Sequence, residues 1–141
     1  KKMAKLFSEK AVISALRLSL ALIFIWFGAL KLVGQNPVFD IVYGSWPLLA
    51  HGAGLITLGV FEFIIGLGLL FNWFPTITHI ALFGHLIGTF SVFFLAPEIA
   101  FDPYFPFLTL AGEFVFKNIT LLIAGFVVLN FTPPLKDNLK V

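Results

Sequence analysis

Several ionisable side chains interrupt the apolar stretches of this 141-residue chain, and their types suit proton transfer and hydrogen bonding. Glu62 and His85 can each accept and release a proton, and Lys31 can balance a carboxylate or donate a hydrogen bond. An ionised group in the middle of a membrane-spanning helix costs ~2.5–3.5 kcal/mol, so each needs a partner or a function. The candidate ligand-binding or proton-handling residues are Lys31, Glu62, His85, Glu113, Lys117 and Asn118.

Three of the charged positions also have simpler, structural interpretations. Glu113 precedes Lys117 by one helical turn, which is the spacing of an intrahelical ion pair, so a structural role stands beside the functional one. Glu113 would also lie in the first turn of its helix, where the helix dipole favours a negative charge. Arg17 lies near the start of its apolar run, and we predict that it is a membrane anchor that extends its guanidinium to the interface.

The spacing of histidines and carboxylates disfavours the usual cofactor sites of membrane bundles. A bis-histidine haem needs two histidines at one depth, whereas His51 and His79 are predicted near opposite boundaries and His85 near the middle. The Glu-x-x-His pairs of di-iron bundles are absent. A single metal ion held by Glu62, His85 and Glu113 stays open as an alternative, although nothing in the sequence requires a metal.

The chain contains no cysteine, which excludes dithiol exchange, thiolate metal ligands and an iron–sulfur cluster built by this chain. No motif identifies a catalytic residue either. We therefore expect that any redox chemistry is supplied by a partner or a borrowed cofactor.

The elements that must position these side chains are membrane-spanning helices. Hydrophobic residues make up 60% of the chain and charged residues 11%, far from the balance of a soluble domain. Runs at 11–33, 53–72, 77–96 and 113–131 are long enough to cross a hydrocarbon core, which takes ~20 helical residues. The predicted fold is all-α, a bundle of four transmembrane helices in a single domain covering residues 1–141.

The first linker is predicted to contain a short interfacial helix at 37–45. Asn36 would cap this helix, and Pro37 suits the first helical position.

Small residues and aromatic residues suggest how the helices pack and what they bind. Gly59 and Gly66 share a face with Glu62, and a second small-residue strip near His85 is expected to let another backbone approach; it comprises Ala81, Gly84, Gly88 and Ser91. Aromatic side chains near Lys31 and at the outer end could form walls for a flat apolar ligand such as a quinone, or could simply pack at the membrane interface. They are Trp26, Phe27, Phe101, Tyr104, Phe105 and Phe107.

The distribution of charge predicts the orientation of the protein in the membrane. Lysines precede the first run and follow the last, whereas the first and third linkers carry acidic residues; the lysines are Lys1, Lys2, Lys5, Lys10, Lys136 and Lys140. The positive-inside rule places both termini in the cytoplasm. The first run is too long for a signal peptide and is expected to be a mature helix. The net charge of +2 comes from the tails and does not indicate a nucleic-acid surface.

Four segments together resemble the DoxX-like family of small four-helix membrane proteins: RLSLALIFIWFGALKL (17–32), FEFIIGLGLL (61–70), LAPE (95–98) and TLAGEFVFKNITLL (109–122). The resemblance covers almost the whole chain, and its most specific parts are GALK in the first span and the KN pair of the fourth. It implies recurring polar positions at Arg17, Lys31, Glu62, Glu113, Lys117 and Asn118. The family often has Gln where Glu113 stands.

The resemblance also implies a setting in redox physiology. Members of the family are associated with a thiosulfate to quinone oxidoreductase, with a membrane partner of superoxide dismutase and a sulfurtransferase, and with resistance to oxidants. Related eukaryotic proteins act as assembly factors for membrane receptors. The expected location is the inner membrane of a bacterium or archaeon.

We therefore carry three hypotheses forward from the sequence. The first is an accessory membrane subunit of a quinone-linked redox complex, whose polar cluster contacts a quinone or a protein partner. The second is a membrane chaperone or assembly factor. The third is a small proton-coupled transporter, which would have to form a homo-oligomer because four spans without a repeat make alternating access hard.

Overall fold

The structure, a computed structural model, describes residues 7–133 and has four helical segments long and apolar enough to cross a membrane. These segments are Glu9–Leu32, Gly52–Phe71, Pro75–Leu95 and Leu110–Phe131. The helices are α1 (Glu9–Leu32), α2 (Phe39–Ser45), a 3-10 turn (Pro47–Leu49), α3 (Gly52–Phe71), α4 (Pro75–Thr89), α5 (Val92–Leu95), α6 (Pro97–Ala100), α7 (Leu110–Phe116) and α8 (Asn118–Phe131). The described part of the chain contains no strand beyond one isolated bridge. The predicted all-α bundle of four spans is confirmed.

The bundle has two ends, which we name by what they carry. The linker end carries α2, α6 and the segments at 33–51 and 96–109; the terminal end carries the start of α1, the 72–74 turn and the end of α8. The lysines at 1, 2, 5, 136 and 140, on which the predicted orientation depends, lie outside the described residues.

The third and fourth spans are interrupted, which the sequence did not predict. Between α4 and α5 the Ser91 hydroxyl donates to the Gly88 carbonyl at 2.6 Å, so a side chain competes for a backbone acceptor. Between α7 and α8 the Thr120 amide donates to the Lys117 carbonyl, a tighter bond than the α-helical one. The fourth span also begins at Leu110, three residues before its predicted start.

Close packing of α1 against α3 holds the centre of the bundle. A Cβ added at Gly28 would lie 2.6 Å from the Phe63 amide nitrogen, and one at Gly59 would lie 2.8 Å from Lys31 Cβ. A Cβ at Gly66 would likewise lie 2.7 Å from the backbone nitrogen of Ile25. The predicted small-residue face around Glu62 is therefore confirmed as a helix–helix contact.

Arg17 joins the same two helices at the terminal end. Its guanidinium donates to the carbonyls of Leu69 and Leu70 at 2.9 and 3.1 Å, in the last turn of α3, where carbonyls have no helical partner. The structure shows a half-buried Arg17 side chain that caps a neighbouring helix, and its predicted role as a membrane anchor stays a prediction.

The predicted interfacial helix exists but begins at Phe39 instead of residue 37, and Asn36 does not cap it. The Asn36 side-chain amide donates across the linker to the Ala50 carbonyl at 3.1 Å, so this asparagine closes the loop. Pro37 lies outside the helix.

Two apolar cores lie along the bundle. One packs α1, α3, α4 and α8 and includes Leu20, Phe24, Leu69, Leu82 and Val128. The other joins the linker helices to the fourth span and includes Ile41, Val92, Ala96, Ala100 and Val115. Members of both cores line one small cavity, and the polar residues described next lie there.

Candidate functional site

Lys31, Glu62 and His85 form one hydrogen-bonded chain inside the bundle. Lys31 Nζ lies 2.7 Å from Glu62 Oε2, and His85 Nε2 lies 3.2 Å from Glu62 Oε1, so each carboxylate oxygen has its own partner. Lys31 is 2% exposed and Glu62 5%, whereas the His85 side chain is 15% exposed. We call these three residues the relay.

Each member of the relay comes from a different span, and the helix contacts explain why they meet. The glycine at Gly59 brings α3 against Lys31, so the lysine side chain can reach the carboxylate one turn further along α3. The His85 ring packs edge-on against Phe24 at 5.4 Å between ring centroids. Lys31 Nζ also lies 5.9 Å from the centre of the Phe27 ring, within the range of a cation–π contact.

The charge state of the pair fixes the roles of the two imidazole nitrogens. With Glu62 ionised, His85 Nε2 carries the hydrogen and donates to Oε1. Nδ1 of the neutral ring is then an acceptor that the relay does not use. Nδ1 can therefore accept a hydrogen bond from a hydroxyl group, and it can donate one to a carbonyl only after it has taken up a proton. Glu62 can pass a proton between His85 and Lys31.

A large apolar groove borders the relay on the His85 side. It has a volume of about 500 Å³, and its walls come from α2, α3 and α4, including Ile41, Trp46, Leu58, Phe61 and His85. All three relay residues line an inner cavity of about 80 Å³. Five residues line both this cavity and the groove: Ile41, Val42, Leu58, His85 and Thr89. His85 is thus the member of the relay that lines both spaces.

The groove explains a wrong prediction about the small residues of the third span. Ala81, Gly84 and Gly88 were expected to pack against another helix, but a Cβ added at Gly84 or Gly88 would meet no atom within 4 Å. These residues line the groove instead. Ser91, the last of the strip, accepts a hydrogen bond from Trp46 Nε1 at 3.0 Å.

Asn118 is buried beside the relay without joining it. Its side-chain amide donates to Thr89 Oγ1 at 2.9 Å, and the Thr89 hydroxyl donates in turn to the Leu86 carbonyl. Both Asn118 and Thr89 line the inner cavity. This contact fixes the first turn of α8 against α4, at the break in the fourth span.

Glu113 and Lys117 were predicted to lie in the central cluster, and this placement is wrong. Both side chains are exposed, and the ion pairs found among residues 7–133 do not include one between them. The rotation of α7 buries Gly112 and Val115 instead. Glu113 does lie in the first turn of its helix, as expected.

The aromatic walls predicted for a ligand are divided between separate places. Trp26 and Phe27 were the two aromatic residues predicted near Lys31. Trp26 is 63% exposed, and only Phe27 lies beside the relay. Phe101, Tyr104 and Phe105 line a separate cavity of about 830 Å³ at the linker end, which contains no member of the relay.

The remaining histidines and carboxylates do not assemble a metal site in the described part of the chain. Residues 7–133 contain no group of three or more histidines and carboxylates arranged to hold a metal ion, and Glu113 does not join Glu62 and His85. His79 is 2% exposed, with Nδ1 2.7 Å from the Pro75 carbonyl. From the sequence, His79 was predicted near a membrane boundary, and no pattern in the sequence indicated that its side chain is buried.

Comparison of the chain with models of protein families, with curated proteins and with solved structures finds no match.

Proposed function

We propose that this protein is a small membrane accessory subunit of a quinone-linked redox complex, and that it binds a quinone head group in the groove beside His85. One observation carries the proposal: a buried hydrogen-bonded chain of ionisable side chains ends at a histidine that lines an apolar groove of about 500 Å³. Pockets of this size with a few placed polar groups are typical of small-molecule sites.

The chemistry of a quinone suits both parts of this site. Its ring and isoprenoid tail are apolar, as are most of the groove walls, which include Leu49, Leu58 and Phe61. Its oxygens need a hydrogen-bond partner that can donate to the quinone and accept from the hydroquinone, and imidazole can do both. Lys31 does not line the groove, so we assign it the role of counter-charge to Glu62 and not of a ligand to the quinone.

The accessory role is supported by what the chain contains. Without cysteine it has no thiol couple of its own, and in this proposal the electrons of a bound quinone are exchanged with a partner protein. The relay then supplies binding and proton handling, and the partner supplies the electron acceptor or donor.

The test is the quinone content of the protein purified from its native membrane in a mild detergent. We expect near-equal amounts of quinone and protein for the wild type, measured by mass spectrometry together with every co-purifying subunit. Gly84→Leu should fill the groove and lower bound quinone at least tenfold, whereas Gly84→Ala is the matched control that adds a methyl group in open space. His85→Gln should weaken quinone binding without filling the groove.

Equal quinone loss in Gly84→Ala and Gly84→Leu would contradict the assignment of the groove, because the smaller change leaves room for a ligand. Absence of quinone from the wild type, with no redox subunit present, would overturn the proposal as a whole.

A second candidate, a membrane chaperone or assembly factor, is favoured by a different observation. Glu113 and Lys117 are exposed on a segment apolar enough to span a membrane, so a partner helix could pair with them. A photo-crosslinking residue in place of Lys117, compared with one in place of the exposed Leu22, separates the candidates. One stoichiometric partner supports the subunit, and many scarce membrane proteins support the chaperone.

A further inference from the structure

The Lys31 end of the relay opens toward a different cavity from the His85 end. A cavity of about 420 Å³ lies between α1, α2 and α7, and its walls include Lys31, Asp40 and Phe114. Asp40 is exposed, in the first turn of α2 at the linker end. His85 and Glu62 do not line this cavity, and Lys31 and Asp40 do not line the groove. The groove and this cavity have one lining residue in common, Ile41. The three relay residues connect the two spaces through the inner cavity, which all three of them line.

We infer that the relay conducts protons between a ligand in the groove and water at the linker end, entering or leaving through the cavity that Lys31 shares with Asp40. The inference rests on the proposed function, since the groove ligand is the proton donor or acceptor. It specifies the direction in which protons move through the relay and the place where they leave the protein. The side of the membrane that exchanges protons with the ligand is the side on which α2 lies.

The steps balance one proton at a time. A hydroquinone hydroxyl gives its proton to His85 Nδ1 while Nε2 gives its own to Glu62 Oε1, 3.2 Å away. Lys31 releases a proton to water in the Asp40 cavity and then takes the proton of the Glu62 carboxyl group at Oε2, 2.7 Å away, after that group rotates. The ring then gives its Nδ1 proton to water and takes a proton from water at Nε2, which restores the starting tautomer with no net change in protons.

Oxidation of a hydroquinone releases two protons and two electrons, so the relay turns over twice. The electrons leave to a one-electron acceptor centre of the partner subunit and do not pass through the relay. Reduction of a quinone runs the same steps in reverse.

The ionisable groups that bear on this path are few. Lys31, Glu62 and His85 face one another from α1, α3 and α4. The walls of the inner cavity add the uncharged side chains of Asn118 and Thr89. The linker-end cavity adds Asp40 from α2, and the side of it formed by α7 contributes Leu110, Ala111 and Phe114. A lysine suits the exit position because its ammonium can lose a proton, which a guanidinium in a protein does not.

The first experiment asks whether water reaches Lys31, and the absence of native cysteine makes it direct. Lys31→Cys is placed in a Glu62→Gln background, so that no unpaired carboxylate is left, and is treated in proteoliposomes with a membrane-impermeant quaternary-ammonium methanethiosulfonate. We expect modification at least tenfold faster than for Leu22→Cys, an exposed apolar position of the first span. A cysteine at 31 that reacts with a lipid-soluble maleimide but not with the impermeant reagent overturns the inference.

The second experiment measures proton exchange at His85 without any ligand. The exchange rate of the His85 ring N–H with water is followed by nitrogen-15 NMR in nanodiscs. We expect Glu62→Gln and Lys31→Arg each to slow exchange at least tenfold, although Lys31→Arg retains a cation opposite Glu62. An unchanged exchange rate in Lys31→Arg, with the helical spectrum intact, overturns the inference.

The two proposals fail in different ways. If the protein binds quinone but the relay does not conduct protons, Lys31→Arg should have a normal quinone content and an unchanged exchange rate of the His85 ring N–H. A wrong ligand would appear as a relay that exchanges protons as expected in a protein that retains no quinone.

Discussion

The Lys31–Glu62 pair is costly to bury, because both charged side chains are almost completely withdrawn from solvent. Desolvation of two ions can exceed their mutual attraction unless further hydrogen bonds satisfy them, and His85 supplies one to the second carboxylate oxygen. The pair is therefore weak evidence for stability. Its link through His85 to the groove favours a role in binding and proton transfer.

Removal of one partner should cost more than removal of both charges. Lys31→Met leaves a buried carboxylate without its counter-ion and should lower the free energy of unfolding by about 3–5 kcal/mol. Lys31→Met with Glu62→Gln removes both charges and should recover most of that loss. Reversible unfolding in bicelles measures the difference, and equal destabilisation in the single and double variants would contradict this account.

Glu113 and Lys117 should behave differently, because neither is buried. Glu113→Gln and Lys117→Gln are each expected to change the free energy of unfolding by less than about 0.5 kcal/mol, as surface substitutions usually do. The same unfolding assay checks this. A decrease of more than about 2 kcal/mol in the free energy of unfolding of either variant would contradict this account, because it would require a contact that an exposed side chain does not make.

The helices show which parts of the site the sequence could predict. Long apolar runs identify spans because a backbone in lipid must satisfy its own hydrogen bonds. Depth along those spans, together with opposite charge, brought Lys31, Glu62 and His85 into one cluster. The rotation of a helix is harder to predict, because a membrane helix is apolar on its lipid-facing side and on its buried side, and this is why Glu113 and Lys117 were misplaced.

The glycines illustrate the same difficulty, since one pattern has two outcomes. Gly28 and Gly59 let α1 and α3 approach, whereas Gly84 and Gly88 leave the groove open. Small residues at helical spacing indicate either a close contact or a cavity, and only the positions of the neighbouring helices decide between them.

This difference gives a matched pair of substitutions between helices. Gly28→Ala would bring a methyl group against the backbone of α3 and should lower the free energy of unfolding by about 1–3 kcal/mol, the range of overpacking. Gly84→Ala should be neutral or slightly stabilising, because alanine favours helix and nothing lies within 4 Å. Equal destabilisation of the two variants in the unfolding assay would contradict this difference and would indicate that other atoms pack against α4 at Gly84.

The proposed relay gives the whole molecule a direction, because Lys31 lines the cavity at the linker end, whereas α1 begins and α8 ends at the terminal end. The charge pattern of the sequence predicts a cytoplasmic terminal end by the positive-inside rule, and with that orientation the protons of the groove ligand should be exchanged with the opposite side. Asp40→Cys and Asp102→Cys should react with an impermeant maleimide on intact cells, and Lys10→Cys only after the membrane is permeabilised. Labelling of Lys10→Cys in intact cells would reverse the orientation, and with it the side of the membrane that receives the protons.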